Sequence, residues 1–180
     1  MKSTDPKTTA AARSRRQCVR FFVIFGGLVG CYYALMLSLW VDGHILLPIL
    51  QVSAQASSIL LNLTGADTTV NGVVIRGTDF AIAVRRGCDP AEPVMLFGAA
   101  VMAYPAPLPR KVWGFLLGAS TLFGINLLRI VTLYLAGRAH LPWFESLHQE
   151  WWPAAYVVAA IALWLVWLRW TQIRRIECHV

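Results

Sequence analysis

Charged side chains are scarce in this sequence, and their scarcity excludes an ordinary soluble domain. Asp, Glu, Lys and Arg make up 14% of the 180 residues, whereas hydrophobic residues make up 57%. A typical soluble domain is about 25% charged. The net charge of +7 is also typical of nucleic-acid-binding proteins, but the basic residues cluster beside apolar runs, as they do at membrane boundaries. The composition therefore predicts a one-domain membrane protein that does not bind nucleic acid.

Cysteine is also scarce, with four residues and no C-x-x-C pair, which argues against a thiol redox protein. The sequence contains no cluster of metal ligands, no phosphate-binding loop and no dinucleotide fingerprint. We therefore expect neither a metal ion nor a cofactor.

Long apolar runs divide the chain into four expected membrane spans, at about 21–40, 90–104, 112–136 and 151–170. The first run is free of charge for 20 residues, long enough to cross a hydrocarbon core of about 30 Å. No A-x-A-like cleavage site follows it, which favours a span over a signal peptide. The second run is short for a span.

The outer segment 41–89 connects the first two expected spans. Residues 44–63 are apolar but interrupted by Pro48 and polar residues, which predicts an interfacial helix. Val70-Asn71-Gly72-Val73 and Gly77-Thr78-Asp79 are turn signals between short β-type runs. The expected fold is thus an all-α membrane protein with four transmembrane helices, a small extracytoplasmic β-meander and an interfacial helix. Residues 1–20 and 171–180 are expected to be cytoplasmic tails, flanking a membrane-embedded domain at 21–170.

The basic residues predict the orientation of the spans. With both termini in the cytoplasm, eleven of the sixteen Lys and Arg residues lie inside and four lie outside. Cys18 and Cys178 are then cytoplasmic, Cys31 lies in the first span, and Cys88 faces the outer side. The expected site at Cys88 therefore lies on the side of the membrane opposite both termini.

Cys88 precedes a predicted helix start, with Asp89 as the cap, Pro90 at the first helical position and Glu92 three residues after the cap. A helix N-terminus favours the thiolate form of a nearby cysteine. A single outward thiol in an oxidising compartment favours a reactive role over that of a small apolar filler. Arg86 adds positive charge beside it.

Arg129 and Asn126 are polar residues within the third expected span. A charged residue there indicates function by default, although a structural pin for a carboxylate or for helix-end carbonyls is the alternative. Asn126 lies three residues earlier on the same helical face. It is expected to orient Arg129 or to bind substrate, with an interhelical hydrogen bond as the alternative. Arg86 is assigned to the same group of binding or orienting residues.

His148 precedes the last expected span at its outer end, which makes it the preferred proton shuttle over His140 in the same loop and His44 near the first span. Cys88, His148 and Arg129 together predict acyl transfer. The thiolate attacks a carbonyl, the histidine moves the proton and the arginine supplies fixed positive charge.

These motifs resemble the exosortase/archaeosortase family: Gly87-Cys88 before a helix, Asn126-Leu-Leu-Arg129-Ile130 in the next helix, and His148 before a last span. The compact four-span form, with Tyr104-Pro105-Ala106-Pro107 between two spans, is most similar to the exosortase H subgroup. One departure is Asp89-Pro90 after the cysteine, where the family usually has a small or amide residue and often glycine.

The resemblance implies a cysteine transpeptidase or protease that cleaves the C-terminal sorting signal of secreted proteins. The implied location is the inner membrane of a Gram-negative bacterium, with the site facing the periplasm. Cys88 would be the nucleophile, Arg129 its positive partner and His148 the proton shuttle. The implied substrates carry a short motif, a transmembrane helix and a basic tail, and the implied acceptor is a lipid, a glycan or water. A G-x-x-x-G pair at Gly114 and Gly118 would receive a substrate helix or a neighbouring helix of the protein itself. The alternative function is a non-enzymatic membrane scaffold in which Arg129 is a structural pin.

Overall fold

The computed structural model describes residues 6–38, 40 and 42–177. The ends of both expected tails, including Cys178, lie outside the described residues.

The described chain forms a bundle of five main helices with a small sheet at one end. Helix α1 spans Pro6–Met36, α2 Leu47–Leu63, α3 Ala91–Ala103, α4 Leu108–Arg138 and α5 Trp152–Glu177. A π-helical turn at Asp42–Leu46 precedes α2, and a short turn at Phe144–Ser146 followed by a π-helical turn at Leu147–Trp151 precedes α5. The basic segment before residue 21 is continuous with α1, because no helix breaker separates it from the apolar run.

Four described segments are long and apolar enough to cross a membrane: Arg15–Met36, Gly43–Leu63, Leu108–Arg138 and Phe144–Gln172. The protein is therefore a multi-pass membrane protein, and the expected all-α membrane fold with four long apolar helices is confirmed. These four segments differ from the four expected spans in one member, however. Gly43–Leu63 qualifies by length, whereas α3 has only 13 residues, about 20 Å at 1.5 Å per residue.

Two contacts place the end of α1 beside the start of α3. The hydroxyl of Tyr33 donates a hydrogen bond to Glu92, and Nη2 of Arg86 lies 3.5 Å from the carbonyl oxygen of Met36. The end of α1 and the start of α3 therefore lie at the same end of the bundle, and α2 between them packs against α4. This geometry agrees with an outer segment between the first two expected spans, and the interfacial position of α2 stays a prediction.

The expected β-meander is confirmed as a three-stranded antiparallel sheet. Strands β1 (Thr69–Asn71), β2 (Val74–Arg76) and β3 (Ala81–Ala83) pair in the order β1-β2-β3. Gly72, at φ +63°, makes the first turn, as only glycine adopts that conformation readily. Ile75 is buried in the same core cluster as Leu61 of α2 and Tyr134 of α4. The sheet is thus packed against the end of α4, and β3 leads directly to Cys88.

A second core cluster holds α3, α4 and α5 together at the other end of the bundle. A Cβ at Gly114 would lie 2.1 Å from Nε1 of Trp167, and one at Gly118 would lie 2.1 Å from Phe97. The Trp167 ring is itself fixed, since its Nε1 donates a hydrogen bond of 3.1 Å to the carbonyl oxygen of Arg110. Both glycines of the G-x-x-x-G pair are therefore used for packing within the protein.

This packing predicts different effects for two glycines on the same helix. Gly114→Ala should lower the free energy of unfolding by about 1–3 kcal/mol, because a methyl group there overlaps a fixed ring. Gly124→Ala should leave it unchanged or raise it by up to about 1 kcal/mol, since a Cβ at Gly124 meets nothing within 4 Å and alanine favours helix. Thermal unfolding in detergent checks both. Equal midpoints for the two variants would contradict the close packing of Trp167.

Candidate active site

A tight turn presents Cys88 at the boundary between the sheet and α3. The amide of Cys88 donates a hydrogen bond of 2.8 Å to the carbonyl oxygen of Arg85, which closes the turn. Gly87 has φ +88°, a conformation that side chains disfavour. The turn therefore depends on glycine immediately before the cysteine. Cys88 itself is half-buried.

Asp89 fixes the backbone on both sides of the cysteine. Its Oδ2 accepts a hydrogen bond of 3.0 Å from the amide of Gly87, and its Oδ1 accepts one of 2.9 Å from the amide of Ala91. The structure places Pro90 at the N-cap and begins α3 at Ala91, so the expected cap position of Asp89 is wrong by one residue, and its second bond instead orders the turn just before the helix. The buried carboxylate is thus occupied by backbone donors.

His148 is the histidine that the structure brings to the thiol. Its Nε2 lies 3.9 Å from Sγ of Cys88, within hydrogen-bond distance for sulfur. Its ring stacks on Phe144, with the centroids 6.3 Å apart. The two alternative histidines have different environments. His140 is exposed, at φ +49°, in the turn after α4, and the ring of His44 stacks on Trp40.

Arg129 reaches the same turn from inside the bundle. Its Nη1 donates a hydrogen bond of 3.0 Å to the carbonyl oxygen of Gly87, and the side chain is only 6% exposed. Its Cζ lies 5.8 Å from the centroid of the Tyr156 ring. Within the described part of the chain, no carboxylate forms an ion pair with it, and its buried Nε has no hydrogen-bond partner. The guanidinium is therefore held by one backbone carbonyl and one aromatic face.

Asn126 and Arg86 both contact residues of other helices. Asn126 is fully buried, and its Oδ1 accepts a hydrogen bond of 3.0 Å from the hydroxyl of Tyr156. This is the interhelical bond that was the alternative for Asn126. Arg86 is exposed and contacts the carbonyl oxygen of Met36 at the end of α1.

Sequence reasoning missed Tyr156. It lies eight residues after His148, in a span rich in aromatic residues, where a tyrosine is ordinarily taken as a membrane-interface residue. Its single distinguishing signal is that it falls at the depth of Asn126 and Arg129 when α4 and α5 are aligned antiparallel.

A cavity of about 380 Å³ opens beside the turn, between α3 and α5. Its charged lining residues are Asp89, Glu92 and Arg129, beside Gly87 of the turn. The remaining lining residues are mostly apolar: Pro93, Leu96, Pro153, Tyr156, Val157 and Ala160. The lining accommodates a chain with both polar and apolar parts. Among the residues that the structure describes, no three His, Cys, Asp or Glu side chains group closely enough to hold a metal ion.

Comparison with known families identifies the chain. The family model described as "Transmembrane exosortase (Exosortase_EpsH)" matches residues 23–152, more than two thirds of the sequence. The chain belongs to the transmembrane exosortase family. The matched range contains Cys88, Arg129 and His148, and the family resemblance drawn from them is confirmed. Membership indicates, at the level of the family, a transmembrane sorting transpeptidase. Comparisons with curated proteins and with solved structures give no match.

The hydrogen bonds of Asp89 predict a local stability effect in this exosortase. Asp89→Ala should lower the free energy of unfolding by about 1–2 kcal/mol, because two backbone amides lose their acceptor. Asp79→Ala is the matched control, since Asp79 is exposed in a turn of the sheet. Thermal unfolding in detergent measures both effects. If Asp79→Ala lost as much stability as Asp89→Ala, the two backbone hydrogen bonds of Asp89 would not explain the effect.

Proposed function

We propose that this exosortase is a membrane-embedded cysteine transpeptidase or protease. It cleaves the C-terminal sorting signal of secreted proteins at the outer face of the inner membrane and transfers the new C-terminus to an acceptor. The observation that carries the proposal is the 3.9 Å approach of Cys88 Sγ to His148 Nε2, beside a buried arginine that lacks a carboxylate partner.

The geometry supports a two-step acyl transfer. In the first step His148 takes the proton of the Cys88 thiol, sulfur attacks the scissile carbonyl, and the imidazolium returns the proton to the leaving amine as the C–N bond breaks. In the second step the acceptor loses its proton to His148 and attacks the thioester, which releases Cys88. Arg129 is fixed one residue away from the thiol, where its positive charge stabilises the oxyanion of each tetrahedral intermediate.

The cavity between α3 and α5 supports a membrane-bound substrate. Its apolar lining residues suit the start of the substrate's transmembrane helix, and its charged lining residues suit the peptide bonds that precede this helix. A signal with a short motif, a transmembrane helix and a basic tail would place its scissile bond near Cys88. The acceptor is a lipid, a glycan or water.

The orientation of the site is part of the proposal. The excess of Lys and Arg at the two chain ends favours cytoplasmic termini. The sheet, Cys88 and His148 share one end of the bundle, and this end would face the periplasm.

Replacing the thiol should abolish processing. Cells that co-express the protein and a secreted substrate with a C-terminal signal helix should lose the substrate's tail with the wild type and retain it with Cys88→Ala. Cys31→Ala, at an exposed position in α1, is the matched control and should process normally. Mass spectrometry of the substrate's C-terminus gives the readout, and the mass added there identifies the acceptor. Normal processing by Cys88→Ala would refute the thiol mechanism.

The two outer histidines should differ in the same assay. His148→Ala should slow processing by about 10²–10⁴-fold, because it removes the group that moves the proton. His140→Ala should leave the rate within about threefold, because that side chain is exposed in a different turn. A large loss with His140→Ala and none with His148→Ala would reverse the assignment.

A non-enzymatic scaffold is the second candidate, and the hydrogen bond from Arg129 to Gly87 favours it, because this bond ties α4 to the outer segment. A scaffold requires that Arg129→Ala lowers the amount of folded protein while Cys88→Ala has no effect in the cell. An enzyme requires that Cys88→Ala, although fully folded, is inactive.

A further inference from the structure

The position of Arg129 depends on very few contacts. One hydrogen bond to the carbonyl of Gly87 holds its Nη1, its Nε has no partner, and no carboxylate of the described chain pairs with it. A single hydrogen bond leaves a guanidinium free to pivot about that bond. A second contact must therefore set the plane of the group, and the Tyr156 ring, 5.8 Å from Cζ, is the one that the structure supplies.

Tyr156 is itself held firmly. Its side chain is 5% exposed and belongs to the core cluster with Phe97, Leu122 and Trp167. Its hydroxyl donates to Oδ1 of Asn126, which is fully buried on α4 one turn before Arg129. The ring is therefore held by the packing around it, and the hydrogen bond gives its hydroxyl a partner within the core.

We propose that Tyr156 is a positioning residue that orients the Arg129 guanidinium towards the Cys88 turn. The face of its ring carries partial negative charge, which attracts the cation, and this attraction is strong where water is excluded. Packing in the core cluster holds the ring in place, and the bond to Asn126 satisfies its hydroxyl. The proposal rests on the proposed role of Arg129 beside the thiol, and it deepens that function by adding a residue that acts through Arg129.

The helical segment that carries Tyr156 also carries His148, the proposed proton shuttle, near its start. His148 lies in the π-helical turn that leads into α5, and Tyr156 lies eight residues further along. The charged or titratable groups around the Cys88 turn come from four elements: Asp89 from the turn itself, Glu92 from α3, Arg129 from α4, and His148 and Tyr156 from the turn before α5 and from α5. Among these, Arg129 is the group whose position a change at Tyr156 alters directly.

The test uses the reactivity of Cys88 itself, so that it needs no substrate. In a full-length protein whose other three cysteines are serine, the rate of alkylation of Cys88 by iodoacetamide, which forms an S–C bond and releases iodide, is measured at fixed pH. Tyr156→Leu should slow the reaction about 5- to 10-fold, because a displaced guanidinium no longer stabilises the thiolate, the reactive form. Tyr156→Phe keeps the aromatic face and should stay within about twofold of the wild type. Tyr104→Leu removes an aromatic ring at the opposite end of α3 and should have no effect.

A double-mutant cycle separates positioning from general loosening of the fold. Arg129→Lys should slow alkylation by itself, because lysine lacks the planar group that stacks on the ring. Tyr156→Leu added to Arg129→Lys should then slow it by less than twofold further, since its effect passes through the missing guanidinium. Tyr156→Met replaces the leucine variant if that variant does not fold.

Two results would overturn the proposal. One is equal slowing by Tyr156→Phe and Tyr156→Leu, which would assign the effect to the hydroxyl. The other is full slowing by Tyr156→Leu in the Arg129→Lys background, which would assign it to folding. Failure of the proposed function would look different, because a protein that processes no substrate would still show the expected alkylation rates.

Discussion

The hydrogen bond between Arg129 and the carbonyl of Gly87 is the contact on which the rest of the site depends. A cation within an apolar bundle is costly unless polar groups surround it, and here a backbone carbonyl and an aromatic face do so in place of a carboxylate. Because the carbonyl belongs to the residue before Cys88, the same bond that accommodates the charge also places it next to the thiol. A carboxylate partner would have neutralised the charge that the proposed oxyanion needs.

The short length of α3 follows from this constraint. Arg129 lies nine residues before the end of α4, about 14 Å below it. A helix that began level with the end of α4 would hold Cys88 too far from the guanidinium. α3 has only 13 residues, and the sheet packs over the end of α4, where Tyr134 contacts Phe80 with the ring centroids 5.6 Å apart. The outer segment can therefore fold down to the depth of the arginine.

The sequence predicts the reactive residues better than it predicts the residues that hold them in position. Each reactive residue is unusual for its position in a membrane protein. Cys88 is the single outward thiol, Arg129 is a cation within a span, and His148 is a histidine at a span boundary. The β-meander was equally readable, because Asn71-Gly72 specifies a tight turn. By contrast, the start of α1 was misjudged, since helices extend past the ends of apolar runs wherever no breaker intervenes. Tyr156 was missed because an aromatic residue in a membrane helix has many ordinary uses.

The residues that position Arg129 lie on two different helices, α4 and α5, which makes them hard to predict from the sequence. Asn126 and Arg129 are one turn apart on α4, so their relation is visible in the chain. The partner of both is Tyr156 on α5, and only the packing of the two helices reveals it. That packing is set near the opposite end of the bundle, where Gly114 admits the Trp167 ring. The contact between Gly114 and the Trp167 ring thus helps to fix the lateral position of the ring that holds Arg129, and the geometry of a polar site depends on a glycine 15 residues away.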